Sequence, residues 1–237
     1  MRFAATIFAL TLTPAALAAD TKTDLLTQLA PLALQEKAKF EYRVDRQHDG
    51  RAPLHVNQEE FEGRVKITAT AKGVRSVSSR GTSSGLRLSI WDSEGNKEPE
   101  AVLSHEDAES LVDPAGVLLE LLPHLAIQSE RDEVRDGRAV RHVVLGPPNQ
   151  ERPVARKGPF ALLEVHLWLD ETNLPVAAEY AGRLNFGHLL QASQRAFHTY
   201  AVENGRLITT EARFVGEADG PLGTRAKDEV SFRLQRQ

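Results

Sequence analysis

The stretch Glu60-Phe61-Glu62-Gly63-Arg64-Val65-Lys66-Ile67-Thr68-Ala69 decides the fold class. Phe61, Gly63, Val65, Ile67 and Ala69 alternate without a break with Glu60, Glu62, Arg64, Lys66 and Thr68. A period of two places the first set on one face of an extended chain and the second on the other. One face is dry and the other charged, so the segment predicts a strand in a sheet with a single buried side.

The same pattern recurs on both sides of it. Phe40, Tyr42 and Val44 alternate with Lys39, Glu41, Arg43 and Asp45, and Leu163, Val165, Leu167 and Leu169 with Glu164, His166, Trp168 and Asp170. Weaker strands read at Val74–Ser79 and at Leu86, Leu88 and Ile90. Others read at Ala126–Val134, Ala139–Leu145, Val176–Leu184, Leu189–Val202, Arg206–Gly216 and Arg225–Gln235. Asp136-Gly137 and Asn204-Gly205 predict tight two-residue hairpin turns. Gln47 to Gln58, with Asp49-Gly50 and Pro53, reads as a loop. Gly146 to Pro159, holding four prolines with Arg152, Arg156 and Lys157, reads as a long polar loop or an edge element.

Helix signals interrupt this order twice. Thr23 to Lys37 carries Leu25, Leu26, Leu29, Leu32 and Ala33 at helical spacing, with Pro31 placed to kink or split it. Further on, Ser104-His-Glu-Asp107 resembles a capping box. Asp113-Pro114 sets a cap residue before a proline at the first helical position. The apolar run Val117, Leu118, Leu119, Leu121 and Leu122 stops at Pro123 and must bury itself against the sheet. About eleven strands joined by hairpins predict an antiparallel sheet that curls, closes or splits. The expected fold is mainly β (α+β): a curled antiparallel sheet, or unclosed β-barrel, with an N-terminal helix and a mid-chain helical lid.

Residues 1–19 read as a signal peptide, with Arg2 ahead of an apolar run and Ala16-Leu17-Ala18 as the small-x-small cleavage site. The run is about fifteen residues, short of the roughly twenty that span a bilayer. Residues 20–237 are expected to form one domain, a soluble monomer in the periplasm, with full secretion the alternative. There is no cysteine, so disulfides and lipid attachment at a cysteine are excluded. A net charge of −4 argues against nucleic acid and against docking on anionic lipid.

Three constellations invite a chemical reading. Gly81-Thr-Ser83-Ser-Gly85 matches the G-x-S-x-G pattern of hydrolase nucleophile elbows, but it leads into a strand where that chemistry needs a strand-to-helix turn. His48-Asp49 and His55 share the expected loop, and His142, His166 and His198 sit mid-strand where they could converge on a metal. Glu164, His166 and Asp170 share a strand face and could do acid–base work. Each has a plainer account as loop, surface or solvated-face residues. The expectation is therefore no catalytic residue, no metal and no cofactor.

The order of elements resembles the periplasmic lipoprotein-carrier (LolA/LolB-like) superfamily. The likeness is carried by Phe61-Glu-Gly63-Arg-Val-Lys-Ile67, Ile90-Trp91-Asp92, Asp113-Pro114-Ala-Gly-Val-Leu-Leu and Leu167-Trp-Leu-Asp170-Glu-Thr-Asn-Leu-Pro175. The resemblance implies an unclosed barrel under a helical lid, with an apolar cavity for a lipid or lipoprotein acyl group between them. Expected lining residues are Phe40, Tyr42, Val65, Ile67, Leu88, Ile90, Val165, Leu167, Leu169, Tyr180 and Phe232 on the sheet. Val117, Leu118, Leu121 and Leu122 face them on the helix. The alternative is an envelope interaction module, a sensor or assembly factor, whose same residues pack solidly together; an envelope protein partner fits either reading.

Overall fold

In a computed structural model of the chain the described residues are 14–52, 55–89, 103, 105–148, 154–155, 160–185, 191–220 and 224–235. Three α-helices are α1 (Pro14–Leu29), α2 (His105–Val112) and α3 (Pro114–Leu121). The strands are β1 (Ala38–Ala52), β2 (His55–Thr70), β3 (Gly73–Ser89), β4 (Ala126–Arg135), β5 (Arg138–Gly146), β6 (Val154–Ala155), β7 (Phe160–Leu169), β8 (Pro175–Asn185), β9 (Gln191–Glu203), β10 (Arg206–Asp219) and β11 (Arg225–Leu234). They form one curled, unclosed sheet in the order β3-β2-β1-β11-β10-β9-β8-β7-β5-β4, with β6 paired to β7. Every pairing is antiparallel. The chain is a meander except at one seam, where the last strand returns to lie beside the first.

Register shows how the alternation becomes two faces. Tyr42 stands opposite Val65, and Val44 opposite Gly63 and Phe232. The row through Phe232 continues across Ala212, His198, Ala178 and Leu167 to Val143. These inner-face residues join α1–α3 in a single apolar core. The outer face is a lattice of cross-strand ion pairs, such as Arg43 with Glu62 at 2.7 Å, Arg213 with Glu229 at 2.8 Å and Arg233 with Glu211 at 3.0 Å. Such exposed pairs keep that face wet and in register while adding little stability each.

The tight turns follow the sequence. Asp136 and Gly137 have φ of 51° and 77°, and Asn204 and Gly205 have φ of 51° and 71°, as a primed hairpin turn requires. Asp113 caps α3 by accepting the Gly116 N–H at 3.0 Å, with Pro114 in the first turn.

Three expectations are corrected, and the stretch read as a loop or an edge element holds a short strand. Gln47 to Gln58 is not a loop: β1 and β2 pair continuously through Gly50–Asn57 to Ala52–His55, so Asp49-Gly50 lies inside a strand. The two weak strands, at 74–79 and at Leu86 and Leu88, are parts of one seventeen-residue strand, β3, and Ile90 lies outside the described residues. The helix expected over Thr23–Lys37 instead starts by Pro14, so the expected cleavage site lies within α1. It ends at Leu29, followed by a 3-10 turn over Ala30–Leu32 with Pro31 in its first residues. The loop from Gly146 to Pro159 contains β6, and Arg152, Arg156 and Lys157 lie outside the described residues.

The Gly81–Gly85 stretch sits in the middle of β3. Gly81 pairs with Gly63, and a Cβ built on it would come 2.3 Å from the Glu62 carbonyl oxygen and 2.6 Å from Phe61 Cζ. These glycines let β2 and β3 approach closely beneath the Phe61 ring. Gly81→Val is expected to destabilise the β2–β3 hairpin by about 1–3 kcal/mol, as overpacking does. A matching drop in urea midpoint would be seen, and an unchanged midpoint would contradict the close approach.

Candidate functional site

The helices are fixed to the inner face by polar pins as well as by packing. The Tyr42 hydroxyl shares its proton between the carbonyls of Leu111 (2.9 Å) and Thr209 (3.1 Å). Thr209 Oγ1 in turn donates to the Ser110 carbonyl at 3.0 Å. The segment α2–α3 is thereby tied to β1 and β10 at the point where its carbonyls would otherwise be buried without donors. Asp113 Oδ1 also accepts the Leu34 N–H at 3.0 Å, which ties the end of α1 to the start of α3.

Beside these pins a cleft of about 1020 Å³ opens between α3, the residues after α1 and the β2–β3 turn. Leu34, Ala69, Val74, Val112, Val117 and Leu121 give it an apolar wall, with half-buried Leu119 at its edge. Lys72, Glu109, Asp113, Glu120 and His124 also line it. Its volume lies at the top of the roughly 300–1,000 Å³ range of small-molecule sites.

The expected lining residues divide as follows. Val117 and Leu121 line this cleft. Tyr42, Val65, Ile67, Leu118, Leu122, Val165, Leu167, Leu169, Tyr180 and Phe232 lie in the core, and Phe40 packs half-buried against it. Leu88 pairs with Val56 at the end of β3 away from the helices, and Ile90 lies outside the described residues. The cleft's other walls, Leu34, Val74 and Val112, escaped sequence reading because they come from three separate elements. Only the packing of α3 on the β2–β3 turn brings them together.

None of the three chemical constellations assembles as a catalytic or metal centre. Ser83 lies exposed in mid-strand opposite Phe61, not on a strand-to-helix turn. His48 and His55 share no loop. His48 pairs in register with Glu59 and Asp228 and His55 with Ala52, while Arg46 makes two 2.9 Å bonds to Asp228. Among the described residues no group of three or more His, Cys, Asp or Glu is arranged to hold a metal ion.

His142 and His166 do converge, on the outer face, while His198 belongs to the inner face. There His198 is buried, edge-on to Tyr180 and Phe214. His142 Nε2 lies 2.9 Å from His166 Nδ1, and the His142 ring stacks on Trp168 at 4.7 Å. Trp168 donates to Glu133 at 2.5 Å, and the Arg135 guanidinium sits 4.1 Å above the indole ring. His166 Nε2 lies 3.1 Å from Glu164 Oε2, so those two residues meet as a pair on one strand. Asp170 is spent on its own turn, accepting the N–H groups of Thr172 and Leu174. This cluster joins β4, β5 and β7; the signal for it in the sequence was the mid-strand position of both histidines.

Burial pushes the His142 imidazole below its ordinary value, helped by the charges of His166, Arg131 and Arg135 and opposed by Glu133. Burial raises the Glu133 carboxyl, but the Trp168 hydrogen bond, His142 and Arg131 outweigh it and hold it below its ordinary value. A histidine depressed on folding contributes stability above its unfolded pKa, about 6.5, and loses it as pH falls. Urea midpoints are thus expected to decline as pH drops below that value, and His142→Gln to flatten the decline. An identical pH profile in the variant would refute the assignment.

No protein-family model and no curated protein matches the chain. Solved structures similar to it include a DUF1329 family protein from Desulfovibrio piger, with 12% identity over 94% of each chain and a TM-score of 0.37. An outer membrane lipoprotein-sorting protein domain from Vibrio parahaemolyticus matches with 10% identity over 93% of each chain and a TM-score of 0.38. Lipovitellin matches with 10% identity and a TM-score of 0.38, over 85% of this chain and 25% of its own.

Proposed function

We propose that the chain is a non-catalytic binding or carrier protein of the periplasm, exported by its N-terminal signal segment. It holds a lipid-like ligand, or the acyl part of a lipoprotein, between the sheet and the helices. The observation that carries the reading is the cleft of about 1020 Å³ beside α3, where Leu34, Val74, Val112 and Val117 supply the apolar part of a mixed lining. An acyl chain lying along Leu34, Val74, Val112 and Val117 gains roughly 0.8 kcal/mol for each methylene removed from water. It needs no specific polar partner there. Among the described residues no helix is long and apolar enough to cross a membrane.

Titration of the full chain with a fluorescent fatty-acid analogue tests this. Saturable binding is expected, and Leu119→Glu at the cleft edge should weaken it by about tenfold or more, since a charge beside an acyl chain is costly. Leu163→Glu, at an exposed position far from the cleft, should leave binding unchanged. No saturable binding, or equal binding by both variants, would overturn the proposal.

A second reading has its own support. Tyr42, Ile67, Leu111, Leu118 and Leu167 are each under 2% exposed, so the inner face beneath the helices is closed by side chains. A protein so packed would serve as an envelope interaction module, and its ligand would be another protein.

A further inference from the structure

The two margins of the sheet are built differently. β4 is ten residues long, has a bulge between Ile127 and Ser129, and carries the mixed charges Glu130, Arg131, Asp132 and Glu133. Those features blunt an edge against pairing with other chains. β3 has seventeen residues, no proline and no acidic residue, and among the described residues it pairs only with β2. Residues 78–85 are exposed throughout, on both faces of the strand. β3 also carries Arg75, Arg80 and Arg87 in a chain whose net charge is −4. Arg75 donates only to the Thr70 hydroxyl at 3.3 Å, and Arg80 has no carboxylate partner among the described residues.

We propose that β3 is a docking edge for an extended acidic segment of a partner protein, which adds to the sheet as its next strand. Backbone N–H and C=O groups along the edge supply the affinity, and the arginines select the charge of the incoming strand. A second copy of the chain is a poor occupant. Antiparallel pairing of two β3 strands about Gly81 sets Arg75 of one copy opposite Arg87 of the other, a like-charge pair. β4 sets Arg131 and Arg135 against its three carboxylates and lacks the wholly basic charge of β3, so the two margins are not equivalent.

The test uses the full chain and two labelled peptides, one alternating Glu and Val and the other Lys and Val, followed by fluorescence anisotropy. The acidic peptide is expected to bind, the basic one to bind far more weakly, and added salt to weaken the acidic complex. The double variant Arg75→Glu, Arg80→Glu, at exposed positions outside the core, should lose about tenfold in affinity for the acidic peptide and prefer the basic one. Hydrogen exchange should slow at β3 amides and not at β4. Absent binding, equal binding of both peptides, affinity unchanged in the double variant, protection at β4, or self-association through β3 would each overturn the proposal. Leu119→Glu should bind the peptide normally, which separates this edge from the cleft.

Discussion

Replacing Leu118 with alanine is expected to lower the free energy of unfolding by about 2–5 kcal/mol, the range for a large-to-small change in a close-packed core. Leu118 lies in α3, is fully buried, and belongs to the cluster that joins the helices to β1, β2 and β10. The helix is short and has few polar anchors, so packing of this face is what holds it on the sheet. A shift of α3 to close the cavity is opposed at its start, where Asp113 accepts the Leu34 N–H and Tyr42 holds the Leu111 carbonyl just before it. Urea unfolding should show a lower midpoint with an unchanged slope. A loss under about 0.5 kcal/mol, the range of surface substitutions, would mean that α3 is not part of the cooperative core.

Tyr42→Phe should be nearly as informative, because it keeps the ring and deletes one donor. Two buried carbonyls, of Leu111 and Thr209, then lose their shared proton. Leaving such groups unsatisfied costs about 1–3 kcal/mol. The same hydroxyl gives a pH signature. Burial pushes the phenol far above its ordinary value of 10.0, so it stays protonated in the folded protein after the unfolded chain has begun to ionise. The unfolded state then binds fewer protons than the folded one, and stability falls by about 1.4 kcal/mol per pH unit above pH 10 on account of this group. Tyr42→Phe should remove that component of the alkaline slope, and Thr209→Val, which breaks the neighbouring bond to Ser110, should not. Equal alkaline slopes in wild type and Tyr42→Phe would contradict the assignment.

Sequence and structure agree where a local rule has a single outcome. The alternation of residues 60–69 names the inner face correctly, since Val65, Ile67 and Ala69 are buried and Arg64 and Lys66 exposed. Asp136-Gly137 and Asn204-Gly205 turn as their chemistry demands. The apolar run after Pro114 lies on the sheet, as a helix with no polar face must. Resemblance from element order likewise fits the curled, unclosed sheet with helices that forms.

Local rules failed where long-range pairing overrode them. Asp49-Gly50 looks like a turn, yet β2 holds it extended for two more residue pairs. Gly81 and Gly85 look like loop residues, yet they are where two strands approach too closely for a side chain. The candidate site was harder still. Alternation says which residues face inward, but not which of those remain reachable once α2 and α3 are seated. Tyr42 and Ile67 were expected to line a cavity and are core, whereas Leu34, inside the expected helix but off its apolar stripe, and Val74, at the start of an expected weak strand, wall the cleft. The convergence of His142 and His166 depends on the β5–β7 register, which no single strand encodes.

The proposed function requires that the cleft beside α3 carry a lipid-like group. Native mass spectrometry of the protein purified from the cell envelope, without detergent, tests it most directly. A population heavier than the chain by the mass of a lipid or acyl-bearing species is expected, lost on organic extraction and reduced in Leu119→Glu. A single species at the mass of the bare chain, with no lipid taken up on titration, would contradict it.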